Sequence, residues 1–103
     1  MSKTNHNAIM ALFFSTENLL RVVTAEDAEQ MFLVNIKGSG SPPVPFGALN
    51  SEWRKLLAKM QAGDQLWEFR HKCPDGSVFH GLKLLRDNRV VDTIIGSASQ
   101  PSP

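Results

Sequence analysis

The stretch Arg70-His71-Lys72-Cys73-Pro74-Asp75-Gly76-Ser77-Val78-Phe79-His80 gathers the only cysteine and two of the three histidines of a 103-residue chain around a turn signal. Imidazole nitrogen and thiolate sulfur are ligands for zinc and related soft metals, and an imidazole beside a thiol can also act as its base. Which chemistry is open depends on how the two arms of this hairpin face each other. Side chains on paired strands meet only when they share a face, and a slip of one residue exchanges the faces.

Two registers compete. A three-residue loop, Pro74-Asp75-Gly76, sets Trp67 opposite Lys83 and Phe69 opposite Gly81, so that two large aromatics lack apolar partners. A two-residue loop at Asp75-Gly76, a common hairpin dipeptide, sets Trp67 opposite Leu84, Phe69 opposite Leu82 and His71 opposite His80, with Cys73 on the same face. Apolar matching favours the second. It makes His71, Cys73 and His80 a candidate metal or small-ligand site, although no acidic residue of that face stands ready to orient a ring or complete the ligand set. A structural reading competes with it: two half-buried histidines beside a cysteine packed on Val78. No catalytic set is expected, because the glycines are scattered, no phosphate loop is visible and the carboxylates of Glu68 and Asp92 are separated by Lys83. No cofactor motif appears either.

The strands expected around this hairpin are 65–72, 77–86 and 89–96, with a second tight turn at Asp87-Asn88. The favoured register gives one face Trp67, Phe69, Leu82, Leu84, Val91, Thr93 and Ile95. On the other it gives a Glu68, Lys83, Asp92 charge ladder with Leu66, Phe79, Leu85, Val90 and Ile94. Those five apolar side chains exceed what an isolated monomer should expose, and the sheet must leave a strand edge unpaired. They are the candidate interaction surface. Before the sheet, Trp53, Leu56, Leu57 and Met60 recur with helical spacing, Asn50 or Ser51 can cap, and Gly63 suits a left-handed helix end. This helix is expected on the aromatic face.

The first half is less regular. Leu19 to Val23 reads as a strand, and Thr24 with Asp27 reads as the start of a helix running to about Asn35, with a strand over Met31–Ile36 as the alternative. Residues 38–45, Gly-Ser-Gly-Ser-Pro-Pro-Val-Pro, read as a connector, and residues 1–7 and 97–103 as loose tails within a single domain. The apolar run from Ala8 to Phe14 is too short to span a bilayer, and a cytoplasmic location is expected. A lone cysteine excludes an internal disulfide and fits a reducing compartment. The formal net charge is +1, from 11 Lys and Arg against 10 Asp and Glu. That balance gives no footprint for nucleic acid or an anionic membrane.

From Val44 onward, VPFGALNSEWRKLLAKMQAGDQLWEF resembles a group of small uncharacterised bacterial proteins. Their Phe-Gly and Asn-x-x-Trp helix lead into a Gly-Asp-x-Leu-Trp-Glu-Phe strand, and LLRDNRVVDTII is similar to their closing hairpin. The likeness covers about half the chain. Many members carry a Ser-Pro and Ser-Trp insertion where this chain has only Cys73-Pro74-Asp75-Gly76. The resemblance implies a fold and no activity. Together these readings predict an α+β domain, an antiparallel meander of three strands widened by one, packed on one or two helices. Its expected role is a non-enzymatic interaction module, most simply a homodimer.

Overall fold

The structure is a computed structural model and describes residues 14–35, 40 and 42–99. Its elements in order are β1 (Leu19–Val23), α1 (Ala25–Met31), β2 (Leu33–Val34), β3 (Val44–Pro45), α2 (Asn50–Lys59), β4 (Gln65–Lys72), β5 (Val78–Arg86) and β6 (Arg89–Ser99). The fold is α+β, with a four-stranded antiparallel sheet in the order β1-β4-β5-β6 and a small antiparallel pair, β2-β3. The widening strand from the first half is β1, at the outer side of β4. The expected tails at 1–7 and 100–103, the run 8–13 and residues 38, 39 and 41 of the connector lie outside the described residues, and Val44 and Pro45, expected as connector, form β3. Ser97 to Ser99, expected as tail, instead extend β6 opposite Val78 to His80.

The β4–β5 register is the three-residue one, which corrects the expectation. Trp67 faces Lys83, Phe69 faces Gly81, Arg70 faces His80 and His71 faces Phe79. The turn itself explains the choice. A two-residue turn of the expected kind needs φ > 0 at both Asp75 and Gly76, whereas only Gly76 has it, at 92°. Pro74 instead occupies the second position of a turn closed by Gly76 N donating to Cys73 O at 3.0 Å, the place where its fixed φ is favoured. Cys73 N then donates to Ser77 O at 2.8 Å, and Asp75 Oδ1 accepts from Ser77 N and Ser77 Oγ at 2.9 and 2.6 Å. The second turn does follow its expected type, with φ of 54° and 65° at Asp87 and Asn88.

In this register alternate residues Leu66, Leu82 and Leu84 form the face covered by the helices, joined by Ile94, Val23, Ala28, Phe32, Phe46, Trp53 and Leu56. Trp67 and Phe69 lie on the opposite face, where Phe69 is nonetheless fully buried. The anticipated Glu68, Lys83, Asp92 ladder is absent, because Lys83 shares the Phe69 face and Glu68 shares that of Leu82. Two bulges in β6 change its pairing further. Leu85 faces Val90 but Leu84 faces Asp92, and Gly81 faces Ile95 but His80 faces Ser97, so Val91 and Gly96 are the extra residues.

Both helices form where the sequence placed them, with different ends. Thr24 caps α1 by accepting from Asp27 N at 3.0 Å, and the apolar residues after Met31, with β-branched Val34, turn into β2 rather than prolonging the helix. Asn50 does not cap α2; its side chain donates to Pro45 O at 3.0 Å, and a 3₁₀ turn over Gly47–Leu49 leads into the helix. Gly63 lies beyond the helix, in a turn where Asp64 N donates to Gln61 O. Arg86 fixes that turn to β5 by donating to both Asp64 carboxylate oxygens, at 2.9 and 2.8 Å, and to Lys59 O at 3.0 Å.

Phe32 lies directly against Gly96, where any Cβ would overlap its ring. Gly96→Ala is expected to cost about 1–3 kcal/mol by overpacking this bulge. Denaturant unfolding monitored by tryptophan fluorescence measures it, and an unchanged midpoint would show that the ring is not held there.

Candidate functional site

The hairpin end has to be rebuilt on the observed register. His71 projects on the outer face beside Phe79, and its Nδ1 lies 3.0 Å from Asn18 Nδ2, so that nitrogen accepts from the amide. His80 projects on the helix-covered face. Cys73 is half-buried and free within the turn. The two histidines therefore sit on opposite sides of one sheet, and the proposed set of His71, Cys73 and His80 is not assembled. Among the described residues no three His, Cys, Asp or Glu side chains gather in an arrangement able to hold a metal ion.

The proposed interaction surface is divided in the same way. Leu66 and Ile94, 2% and 5% exposed, belong to the helix-covered core, and Leu85 is buried at 6%. Phe79 and Val90 remain half-buried on the outer face. The exposed large apolar side chains of the described residues lie elsewhere: Phe14 before β1, Leu20 and Val22 on β1, Leu33 and Val34 on β2, and Leu49 before α2.

The most concentrated polar cluster was not among the sequence candidates. It is Arg21, Glu68 and His80. Glu68 is buried, yet Oε1 accepts from Arg21 Nε at 2.7 Å and Oε2 lies 2.7 Å from His80 Nε2. Arg21 reaches it because β1 pairs with β4 and sets Arg21 opposite Glu68. The His80 ring packs on Phe32, centroid to centroid 4.9 Å, and Phe32 stacks on Phe46 at 4.8 Å, which stacks on Trp53 at 4.7 Å. Trp53 Nε1 donates to Glu29 Oε2 at 2.8 Å, so the aromatic column ends in a carboxylate at either end. The register of β4 on β5 was the missing signal: it alone sets Glu68 diagonal to His80.

The cluster supplies one feature of acid–base chemistry, a carboxylate orienting an imidazole, while the carboxylate is buried and, among the described residues, no nucleophile bonds to the ring. Its evident work is to satisfy charge inside the fold. Burial is the strongest influence on Glu68 and raises its pKa, but hydrogen bonds from Arg21 and His80, with their charges, together outweigh it and leave the carboxyl below its ordinary value. On the outer face Lys83 is fully buried; its Nζ donates to Ser15 O at 2.6 Å and stands 4.9 Å over the Phe69 ring. Burial lowers the Lys83 pKa, with Glu17 pulling the other way.

No family model, characterised protein or solved structure matches this chain.

A carboxyl whose pKa is depressed by folding stabilises the fold above its unfolded pKa, about 4.3, and loses that contribution as pH falls through the folded value. Glu68→Gln is therefore expected to lose about 1–3 kcal/mol at pH 7, with the gap to the wild type closing below about pH 4. Denaturant titrations at a series of pH values measure this. In long-range ¹⁵N spectra, His71→Ala should leave the His80 ring signals in place; a joint displacement would put the rings together.

Proposed function

We propose that this protein is a non-enzymatic interaction module of the cytoplasm that associates with a second copy of itself. The observation that carries the reading is the open end of the sheet at β6. This strand runs for 11 residues, and among the described residues no other strand pairs with its outer side. The opposite edge, β1, has 5 residues, a bulge at Leu20 and a charged Arg21, the features by which sheet edges are made unreceptive. β6 has bulges as well, but no lysine and no proline between Arg89 and Ser99. An edge of that length offers backbone donors and acceptors to another extended chain.

The half-buried Val90 on β6 supports the reading. A reducing location agrees with the single unpaired thiol of Cys73. No helix of the described residues is long and apolar enough to cross a membrane.

Light scattering over a range of concentrations tests self-association. The expected mass is twice the 11.4 kDa of one chain. A single species of 11.4 kDa up to the highest soluble concentration would refute it.

A further inference from the structure

We infer that the copies join through residues Arg89–Asp92 of β6, antiparallel about a two-fold axis, with Arg89 of each chain paired to Asp92 of the other. This inference rests on the self-association reading and names its contact. The segment Arg89-Val90-Val91-Asp92 carries opposite charges at its ends and two valines between them. Laid antiparallel on its own copy, it sets each arginine against an aspartate and each valine against a valine.

In a regular strand this complementarity would fail. Residues three apart point to opposite faces, whereas a two-fold axis perpendicular to the sheet keeps every side chain on its own face. The bulge removes the obstacle. Arg89 faces Arg86 and Asp92 faces Leu84, two positions on the same side of β5, because Val91 is the extra residue between them. Arg89 and Asp92 thus share the helix-covered side of the sheet, at its outer edge.

Access at the edge agrees with this. Arg89 is exposed and Val90 and Val91 are half-buried. An open depression of about 600 Å³ is lined by Arg86, Asp87, Arg89, Val90 and Val91. Asp92 keeps 28% of its side chain exposed although its Oδ2 accepts from Lys59 Nζ at 3.0 Å and its Oδ1 from Thr93 N at 2.9 Å. A second cation can therefore approach that carboxylate. Arg86 is committed to Asp64, whereas Arg89 has no ion pair among the described residues.

The test uses the full chain and three variants, with mass measured by sedimentation equilibrium and native mass spectrometry. Arg89→Asp and Asp92→Arg should each weaken association about tenfold or more, since both symmetric contacts turn from attraction to repulsion. An equimolar mixture of these two variants should recover a dimer, because their charges again complement each other. Lys59→Ala, which removes the intramolecular cation bound to Asp92, should still dimerise. If the wild type is monomeric, self-association itself is refuted. If the wild type dimerises and either charge reversal leaves affinity intact, or mixing fails to restore it, this interface is refuted while self-association stands.

Discussion

A five-residue hydrogen-bonded turn decides which side of the sheet every residue of the central hairpin occupies. Cys73 and Ser77 close it through the backbone, Asp75 bonds back to Ser77, and Pro74 and Gly76 hold the two positions whose dihedral angles suit them. Because side chains alternate along a strand, one residue more in that loop separates His71 from His80 and turns Trp67 and Phe69 away from α2. It also moves Leu66 and Glu68 beneath the helices.

Opposite Gly81, Phe69 does not need the leucine that apolar matching would give it. Its partner across the strands has no side chain, because the Ile94 carbonyl of β6 lies where a Gly81 Cβ would stand, and the Lys83 ammonium stands over the Phe69 ring. Beneath the helices the core is organised by stacking. Trp53, Phe46, Phe32 and His80 follow one another at separations of 4.7 to 4.9 Å. Phe46 has a left-handed backbone, with φ of 62°, uncommon for a bulky residue, and its place between two rings with its N–H on Phe32 O holds it there. The buried carboxylate of Glu68 is tolerated because Arg21 and His80 occupy both its oxygens. The same two bonds tie edge strand β1 to the middle of the sheet.

The bulges of β6 serve two different ends. At Gly96 the extra residue lets Phe32 approach the sheet, and so joins the β2-β3 pair to the core. At Val91 it reorders the faces near the hairpin tip and sets Arg89 and Asp92 on one side. The proposed contact between copies lies at that edge. Of the two described imidazoles, that of His71 is half-buried and hydrogen-bonded to Asn18, and that of His80 is used within the fold.

Much of the secondary structure was legible in the residues themselves. Thr24 with Asp27, the helical spacing of Trp53 and Leu56, the turn at Asp87-Asn88 and the strands through Gln65–Lys72 and Leu19–Val23 all arise from local preferences, which act over a few neighbouring residues. The candidate site was not legible, because it depended on pairing between distant strands. Apolar matching favoured Trp67 and Phe69 on leucines, yet Pro74 already carried the contrary local signal: a fixed φ suited to the second position of a longer turn. The bulges at Val91 and Gly96 depend on what Phe32 and the helices press against, which no nearby residue encodes. The amino-acid sequence by itself thus determined where the two helices, the strands through Leu19–Val23 and Gln65–Lys72 and the turn at Asp87-Asn88 lie, since those follow from short-range dihedral and capping energies. Only the tertiary structure decided which side chains share a face, because packing and hydrogen bonding across the whole sheet select the register.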